Sequence, residues 1–269
     1  MSLAYERLRQ VTPLAGVVLA DNPSAMTLDG TNTWLLRDEP SRREAVVVDP
    51  GPAEEAHLAS VLQAAGSVPL ILLTHGHADH AEGARRLHEL SGAPVLALDP
   101  AHRYGVEGVA EGAVLDGAGL QILVWATPGH TADSLSFVLP GLASEGPPAA
   151  VLTGDTILGR GSTVVAHPDG VLADYLASLR RLATLQGVAV LPGHGPELAD
   201  AGMAARGYLA HREQRLAQVR QALADGGPEL TAQEVVRRVY ADVDPALWPA
   251  AEWSVRAQLA YLRTEGLLA

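Results

Sequence analysis

A short histidine-rich stretch constrains this chain more than any other feature of its sequence. Residues 74–80 read Thr-His-Gly-His-Ala-Asp-His, which places four potential metal ligands, His75, His77, Asp79 and His80, within six residues. An apolar run, Pro69–Leu73, leads directly into them. Residues 70–73 predict a strand, and α/β folds usually place their chemistry at the carboxyl ends of strands. Ligands crowded in this way repel one another unless something binds between them, so the stretch predicts a metal site.

Composition bounds the class of protein. A chain of 269 residues with 48% apolar residues can bury a substantial core. It contains no cysteine, which excludes disulfides, thiolate metal ligands and a cysteine nucleophile. The polar start, Met1–Gln10, shows no secretory signal, and no run approaches the roughly 20 apolar residues of a membrane span. We therefore expect a cytoplasmic protein with no membrane partner, whose oligomeric state the sequence leaves open.

The formal net charge of −12 bears on possible partners. Broad electrostatic binding to nucleic acid depends on clustered Lys and Arg, so this charge argues against it. It does not exclude a single phosphodiester at a metal centre, because bound divalent ions make such a site locally positive.

Alternating strand and helix patterns predict an α/β fold. Short apolar runs bounded by turn residues predict strands at 16–20, 33–36, 45–48, 70–73, 94–98, 120–126, 134–139, 149–153 and 188–191. Helical patterns lie between them at 53–65, 79–90 and 171–186. Residues 104–119 and the Pro/Gly-rich turn 140–148 predict irregular chain. Two halves of this kind predict a four-layer αββα sandwich.

The pattern changes after about residue 199. A long helical segment reaches about residue 224, and Asp225–Pro228 breaks it. Thr231–Glu234 resembles a capping box, and a last helix follows Pro249. We expect a catalytic domain at residues 1–200 and a small helical C-terminal module at residues 201–269.

Three further loops each deliver one ligand just past a predicted strand. They are Thr127-Pro128-Gly129-His130, Leu152-Thr153-Gly154-Asp155 and Leu191-Pro192-Gly193-His194. With the first stretch they give five histidines and two aspartates, enough for two metal ions with an open position for water. Imidazole and carboxylate without thiolate favour Zn²⁺ first, with Mn²⁺ or Fe²⁺ as alternatives.

This ordered set resembles the metallo-β-lactamase superfamily over residues 15–198. The resemblance implies the αββα sandwich, with His75, His77 and His130 around one metal. It implies Asp79, His80 and His194 around the other, with Asp155 bridging the two. Asp79 and Asp155 are the residues expected to act in catalysis. The commonest true β-lactamases have a cysteine near the second metal, so antibiotic hydrolysis is not expected of this chain.

Further segments resemble the β-lactamase-like protein 2 family and its winged-helix-like tail. They are Gly30–Trp34, Gly154–Gly159, Asp174–Leu179, His211-Arg212 and Trp253–Leu267. The resemblance implies endoribonuclease-like cleavage of single-stranded RNA by a dinuclear zinc site. Two adjacent dications lower the pKa of a shared water toward about 7, and the metal-bridging hydroxide then attacks phosphorus or a carbonyl carbon.

The alternative activity is thioester hydrolysis, because hydroxyacylglutathione hydrolases share the same seven ligands. Their basic C-terminal surface for glutathione has possible counterparts here in Arg206, Arg212, Arg215 and Arg220. The candidate substrates are therefore single-stranded RNA or a small ester or thioester. A noncatalytic binding protein would need a missing ligand, and none is missing.

Five residues outside the ligand set are candidates for supporting or substrate-binding roles, each with a structural alternative. Asp49 either receives the second N–H of a ligand histidine or caps a turn. Asn32 either points into the cleft or caps a turn. Arg160 and Thr163 follow Asp155 on a Gly-rich loop and either hold a substrate anion or form a plain turn. His167 is a substrate-side group or a solvated loop histidine.

Overall fold

Two β-sheets form the centre of the molecule. The computed structural model describes residues 4–142 and 146–266. The first sheet has the order β1 to β6: Leu8–Thr12, Ala15–Leu19, Asn32–Leu36, Val46–Val48, Ile71–Leu72 and Val95–Leu96. The second has the order β11-β10-β9-β8-β7, where β7 to β11 are Val114–Gly117, Leu120–Ala126, Leu135–Leu139, Ala150–Gly154 and Ala189–Pro192. Most neighbours are antiparallel, but β4–β5, β5–β6 and β10–β11 are parallel.

Helices cover the outer face of each sheet. Helices α1 (Glu55–Ala65) and α2 (Ala78–Ser91) pack on the first sheet, and α3 (Leu172–Leu182) and α4 (Ala201–Gly226) pack on the second. Helices α5 (Ala232–Val239) and α6 (Trp248–Thr264) complete the chain, and two 3₁₀ turns lie at Pro100–His102 and Pro245–Leu247. The predicted α/β fold, a four-layer αββα sandwich, is confirmed.

The strands are apolar on both faces because both faces are buried. In β4, Val46 and Val48 face the core between the sheets, whereas Val47 packs against α1 and α2. In β10, Leu152 faces the same central core and Val151 faces α3. Successive side chains of a strand point to opposite faces, so a continuous apolar run fits a strand with layers on both sides.

Two edge strands were not predicted from the sequence. β1 and β7 lie at the outer edges of the two sheets, and both carry exposed polar residues such as Arg9 and Asp116. A half-solvated edge strand lacks the continuous apolar run by which the inner strands were recognised, so β7 was included in the irregular segment 104–119. Residues 143–145 of the predicted turn, and the end of the family-like tail at 267, lie outside the described residues.

Helix α4 belongs to two hydrophobic clusters. Ala201 and Ala205, near its start, pack with α3 and the second sheet. Val219 and Leu223, near its end, pack with α5 and α6. The division into residues 1–200 and 201–269 stays a prediction. No helix in the described part of the chain is both long and apolar enough to cross a membrane.

The capping box predicted at the start of α5 is present. Thr231 Oγ1 accepts a hydrogen bond from the Glu234 amide at 3.3 Å, and Glu234 Oε2 accepts one from the Thr231 amide at 2.8 Å. The two bonds satisfy amide groups that the helix leaves without an internal partner.

Replacing Thr231 with Ala should destabilise the C-terminal helices by about 1 kcal/mol, the usual cost of losing such a cap. The measurement is the free energy of unfolding from a denaturant titration. Thr264→Ala, which removes an exposed hydroxyl at the end of α6, is the matched control. An equal loss in both variants would contradict the role given to the cap.

Candidate metal centre

Four connections bring the predicted ligands to one end of the sandwich. The loop after β5 carries His75 and His77, and the first turn of α2 carries Asp79 and His80. His130 lies in the connection between β8 and β9, and the remaining two ligands, Asp155 and His194, follow β10 and β11. Backbone hydrogen bonds join the two sheets at this end, from Asn32 N to Gly193 O at 2.8 Å and from Leu135 N to Thr74 O at 2.7 Å.

The first group of ligands contains three histidines. His77 Nδ1 lies 3.0 Å from His75 Nε2 and 3.1 Å from His130 Nε2. Two nitrogens bound to one tetrahedral Zn²⁺ are about 3.3 Å apart, given Zn–N bonds of 2.0–2.1 Å. The spacing of these three nitrogens therefore fits a single small dication.

The second group contains one carboxylate and two histidines. His194 Nε2 lies 3.0 Å from Asp79 Oδ2 and 3.1 Å from His80 Nε2. Asp79 Oδ2 and His80 Nε2 are 3.4 Å apart. These three ligand atoms also converge closely enough for one metal ion.

Asp155 lies between the two groups. Its Oδ1 is 3.5 Å from both His80 Nε2 and His194 Nε2, and its Oδ2 is 3.8 Å from His130 Nε2. Oδ1 is buried and has no hydrogen-bond partner among the described residues. A buried carboxylate oxygen without a partner is costly, and a cation at this position supplies one. Gly193 makes room, because a Cβ there would lie 2.7 Å from both Asp155 Oδ1 and His80 Cε1.

Hydrogen bonds orient four of the five histidines so that Nε2 faces the cluster. The Nδ1–H of His75 donates to the Thr74 hydroxyl, and that of His80 donates to the Asp49 carboxylate. His130 and His194 donate in the same way to the backbone carbonyls of Val164 and Gly30. Each bond leaves the Nε2 lone pair of the neutral ring directed inward, the form that binds metal. His77 instead presents Nδ1 to the cluster.

The two groups differ electrostatically. Burial, with smaller contributions from neighbouring imidazoles, lowers the pKa of His75 well below its usual value, and burial also lowers the pKa of His130. Burial opposes protonation of His80 too, but the charges of Asp155 and Asp49 outweigh it and raise the pKa of His80 to about 10. The pKa of His194 is raised in the same sense by Asp155 and Asp79. A metal entering the second group must therefore displace protons.

The carboxylates of the cluster are held in their charged form. Burial alone would raise the pKa of Asp79, but the hydrogen bond with His194 and the charge of His80 more than offset it and hold this pKa well below its usual range. The pKa of Asp155 is lowered because His194 and His80 likewise outweigh its burial. Once the extra proton of His80 is displaced, the seven side chains offer a donor set of neutral imidazoles and carboxylates that fits two divalent cations.

Asp49 holds His80 and Thr74 in place beside the cluster. Its Oδ2 accepts hydrogen bonds from His80 Nδ1 at 2.9 Å and the Thr74 hydroxyl at 2.7 Å, and its Oδ1 accepts one from the Thr74 amide at 2.8 Å. Of the two roles considered for Asp49, this geometry matches the partner of a ligand histidine. Asn32 holds the loop of His194, since its Nδ2 donates to the carbonyls of Pro192 and Gly195 at 3.0 and 2.9 Å.

The other three candidates take different positions. Thr163 is buried with its hydroxyl 3.4 Å from His130 Nδ1. Arg160 lines the cavity beside the cluster, but its guanidinium is paired with Asp29. His167 lies away from the cluster, in a groove lined also by Glu229, Arg256 and Arg263.

A cavity of about 310 Å³ adjoins the cluster. His130 and Asp155 form its inner end, and the loop after β10 and helix α4 form its sides. The C-terminal module closes it with mainly apolar side chains, Tyr240, Val243, Leu247, Ala250, Ala251 and Ser254. The cavity has the size and lining of a small-molecule site.

Sequence reasoning missed two kinds of contribution to this site. Thr74, Val164 and Gly30 orient ligand histidines, yet two of them act through backbone carbonyls, which no residue type marks. The apolar residues that line the cavity from the C-terminal module, such as Val243 and Ala251, were not predicted to belong to the site. Helical periodicity identifies a buried face but does not identify what covers it.

Comparisons with known proteins show the family to which the chain belongs. The sequence profile of the Metallo-beta-lactamase superfamily matches residues 26–194, and that of the Beta-lactamase associated winged helix domain matches residues 231–269. The chain therefore belongs to the metallo-β-lactamase superfamily, a family of hydrolytic enzymes that bind divalent metals.

Similar proteins within the superfamily carry different names. A Beta-lactamase-like protein 2 homolog from Drosophila melanogaster is 34% identical over 93% of this chain and 88% of its own length. An Atrochrysone carboxyl ACP thioesterase from Passalora fulva is 32% identical over 87% of this chain and 70% of its own length. Among solved structures, a Beta-lactamase domain protein from Burkholderia ambifaria has a TM-score of 0.78 at 24% identity, covering 99% and 90% of the two chains.

Replacing Asp49 with Asn should weaken metal binding about 10- to 100-fold, the usual effect of losing a carboxylate behind a ligand histidine. The measurement is a competition titration of the metal-loaded protein against a chelator. Glu6→Gln is the matched control, because Glu6 Oε2 accepts a hydrogen bond from His57 Nδ1 at 2.8 Å outside the cluster. An affinity in Asp49→Asn equal to that of the control would contradict the role of Asp49.

Proposed function

We propose that this protein is a dinuclear zinc hydrolase whose preferred substrate is a small carboxylic thioester or ester. The observation that carries the first part is the Asp155 carboxylate, whose buried Oδ1 lacks a hydrogen-bond partner among the described residues and faces one ligand group while Oδ2 faces the other. One carboxylate placed in this way supports a bridge between two cations. Zn²⁺ suits the donor set best, with Mn²⁺ or Fe²⁺ as alternatives.

The chemistry divides between the metals and the chain. When bound, two divalent cations lower the pKa of a shared water toward about 7 and supply hydroxide at neutral pH. The chain's own part is to fix the ligand set. Asp49 and the Val164 carbonyl hold His80 and His130 by their Nδ1–H groups, and both imidazoles are buried. Asp79 and Asp155 remain ionised, so both can hold a cation.

The cavity favours the small acyl substrate over a nucleic acid. Its volume of about 310 Å³ lies at the lower end of the range of small-molecule sites, roughly 300–1,000 Å³. Its lining is mainly apolar, and Arg160, one of its cations, is paired with Asp29. A thioester could place its acyl part there, with the scissile carbonyl at the end formed by His130 and Asp155. The similarity to the acyl-carrier thioesterase supports this substrate class.

Single-stranded RNA, the first substrate class expected from the sequence, stays a prediction. The similarity to the Beta-lactamase-like protein 2 homolog across nearly the whole chain supports it. The net charge of −12 counts against it, because phosphate backbones are held by clustered basic residues.

The basic C-terminal surface considered for glutathione is interrupted, since Arg212 is buried. The cytoplasmic location also stays a prediction.

The test combines metal analysis with a substrate panel. Protein purified without added metal is assayed for metal content and then offered thioesters, lactones and unstructured RNA. We expect two metal ions per chain and turnover of thioesters. In His77→Ala we expect loss of the turnover and of the metal ion held by the first group. Cleavage of RNA without thioester turnover would overturn the substrate class, and unchanged metal content and activity in His77→Ala would overturn the metal centre.

Filling the cavity should impair substrate binding without disturbing the metals. Ala250→Phe places an aromatic ring among the apolar residues that close the cavity, and we expect KM for thioesters to rise about tenfold or more. Steady-state kinetics and metal content are the measurements. The exposed Ala246→Phe, four residues earlier, is the control. Equal kinetics in the two variants would contradict the assignment of the acyl group to this cavity.

A further inference from the structure

One wall of the cavity carries two guanidinium groups. Arg212 and Arg215 both lie on α4 and line the cavity beside the cluster. Residues three apart in a helix share a face, so both side chains approach the same space. The chain as a whole has a formal charge of −12, whereas this wall of the cavity carries two positive charges.

Arg212 is the more unusual of the two, because it is only 3% exposed. One of its terminal nitrogens donates to the Thr163 carbonyl, and its guanidinium carbon lies 5.1 Å from the centre of the Tyr175 ring. Its Nε–H has no hydrogen-bond partner among residues 4–142 and 146–266, and it forms no ion pair with a carboxylate of those residues. A buried charge without a counter-ion and with an unused donor is costly.

Arg215 also lacks a counter-ion in the described part of the chain. Its Nη1 donates to the Val239 carbonyl at 2.8 Å and to Gln218 Oε1 at 3.1 Å, and its guanidinium lies 4.5 Å from the centre of the Tyr240 ring. These contacts fix the side chain but leave its charge uncompensated. The carboxylate that lines the cavity, Asp155, belongs to the metal cluster, and Arg160 is already neutralised by Asp29.

The neighbouring histidine, His211, adds no charge to this wall. His211 lines the same cavity, and burial followed by the charges of Arg212 and Arg215 lowers its pKa. At neutral pH this imidazole is therefore uncharged and adds a hydrogen-bonding group rather than a third charge. Two fixed cations, a neutral imidazole and an apolar remainder form a site for a molecule that is mainly apolar and carries one anion.

We propose that the cavity binds a free carboxylate at the far end of the acyl group of the substrate, and that Arg212 and Arg215 are its counter-ions. The proposal rests on the proposed thioesterase function and names its preferred substrates, the monothioesters of dicarboxylic acids. Water adds across the C–S bond of such a substrate, giving the free dicarboxylic acid and a thiol. The planar guanidinium suits a carboxylate because it can donate two parallel hydrogen bonds.

The test compares two acyl groups that differ by one carboxylate. Glutaryl and pentanoyl thioesters of N-acetylcysteamine share a neutral leaving group, so any preference arises on the acyl side. We expect KM to be at least about tenfold lower for the glutaryl substrate, equivalent to one charge-assisted hydrogen bond. Arg215→Gln should shrink that ratio severalfold, and Arg237→Gln, at an exposed arginine of α5 outside the cavity, should leave it unchanged.

Binding supplies a readout that does not depend on turnover. Titration calorimetry of the purified metalloprotein should give a Kd at least about tenfold lower for glutarate than for pentanoate, with the difference reduced in Arg215→Gln. Equal binding of the two acids would overturn the inference even if thioesters are hydrolysed. Failure to hydrolyse any thioester while glutarate still binds preferentially would overturn the proposed reaction and leave the anion site standing.

A third substrate tests whether the two arginines instead bind an anion on the leaving group of the thioester. If the pentanoyl thioester of phosphopantetheine were preferred and the glutaryl thioester of N-acetylcysteamine were not, the arginines would serve the leaving group and the inference would be wrong. Thermal unfolding of each variant is measured alongside, and Arg215→Lys, which keeps the charge, should retain more of the preference than Arg215→Gln.

Discussion

Backbone hydrogen bonds between the two sheets hold the ligand-bearing loops together, and the metal centre depends on them. Asn32 N donates to Gly193 O and Leu135 N donates to Thr74 O across the two sheets, and within the second sheet Gly193 N donates to Gly154 O at 2.9 Å. The core between the sheets consists of apolar side chains, which fill space but do not fix the direction of a loop. At this end the directional bonds set the positions from which the ligands converge.

The cluster itself shows why the loops need this support. Five imidazoles and two carboxylates converge, several of them 3.0–3.5 Å from one another. Asp155 Oδ1 lacks a hydrogen-bond partner among the described residues. Holding these groups together therefore lowers the free energy of unfolding until a ligand binds, which is common at functional sites. The uncompensated arginines of α4 extend the same feature into the cavity.

Much of this arrangement could be predicted from the sequence, because strand ends and ligand residues are local signals. The apolar runs predicted both sheets of the sandwich, and the loops after them predicted the seven residues that the structure brings together. Strands β1 and β7 escaped because edge strands are partly solvated. The partners of Asp49 and the closing of the cavity by Tyr240 and Ala250 depend on packing between distant segments, which no local pattern encodes.

The central claim is that two cations share Asp155, and anomalous diffraction from crystals of the zinc-loaded protein tests it most directly. Data collected on both sides of the zinc absorption edge locate each ion without reference to activity. The account predicts two peaks per chain, one among His75, His77 and His130 and one among Asp79, His80 and His194, with Asp155 between them. A single peak, or peaks that do not contact Asp155, would contradict it.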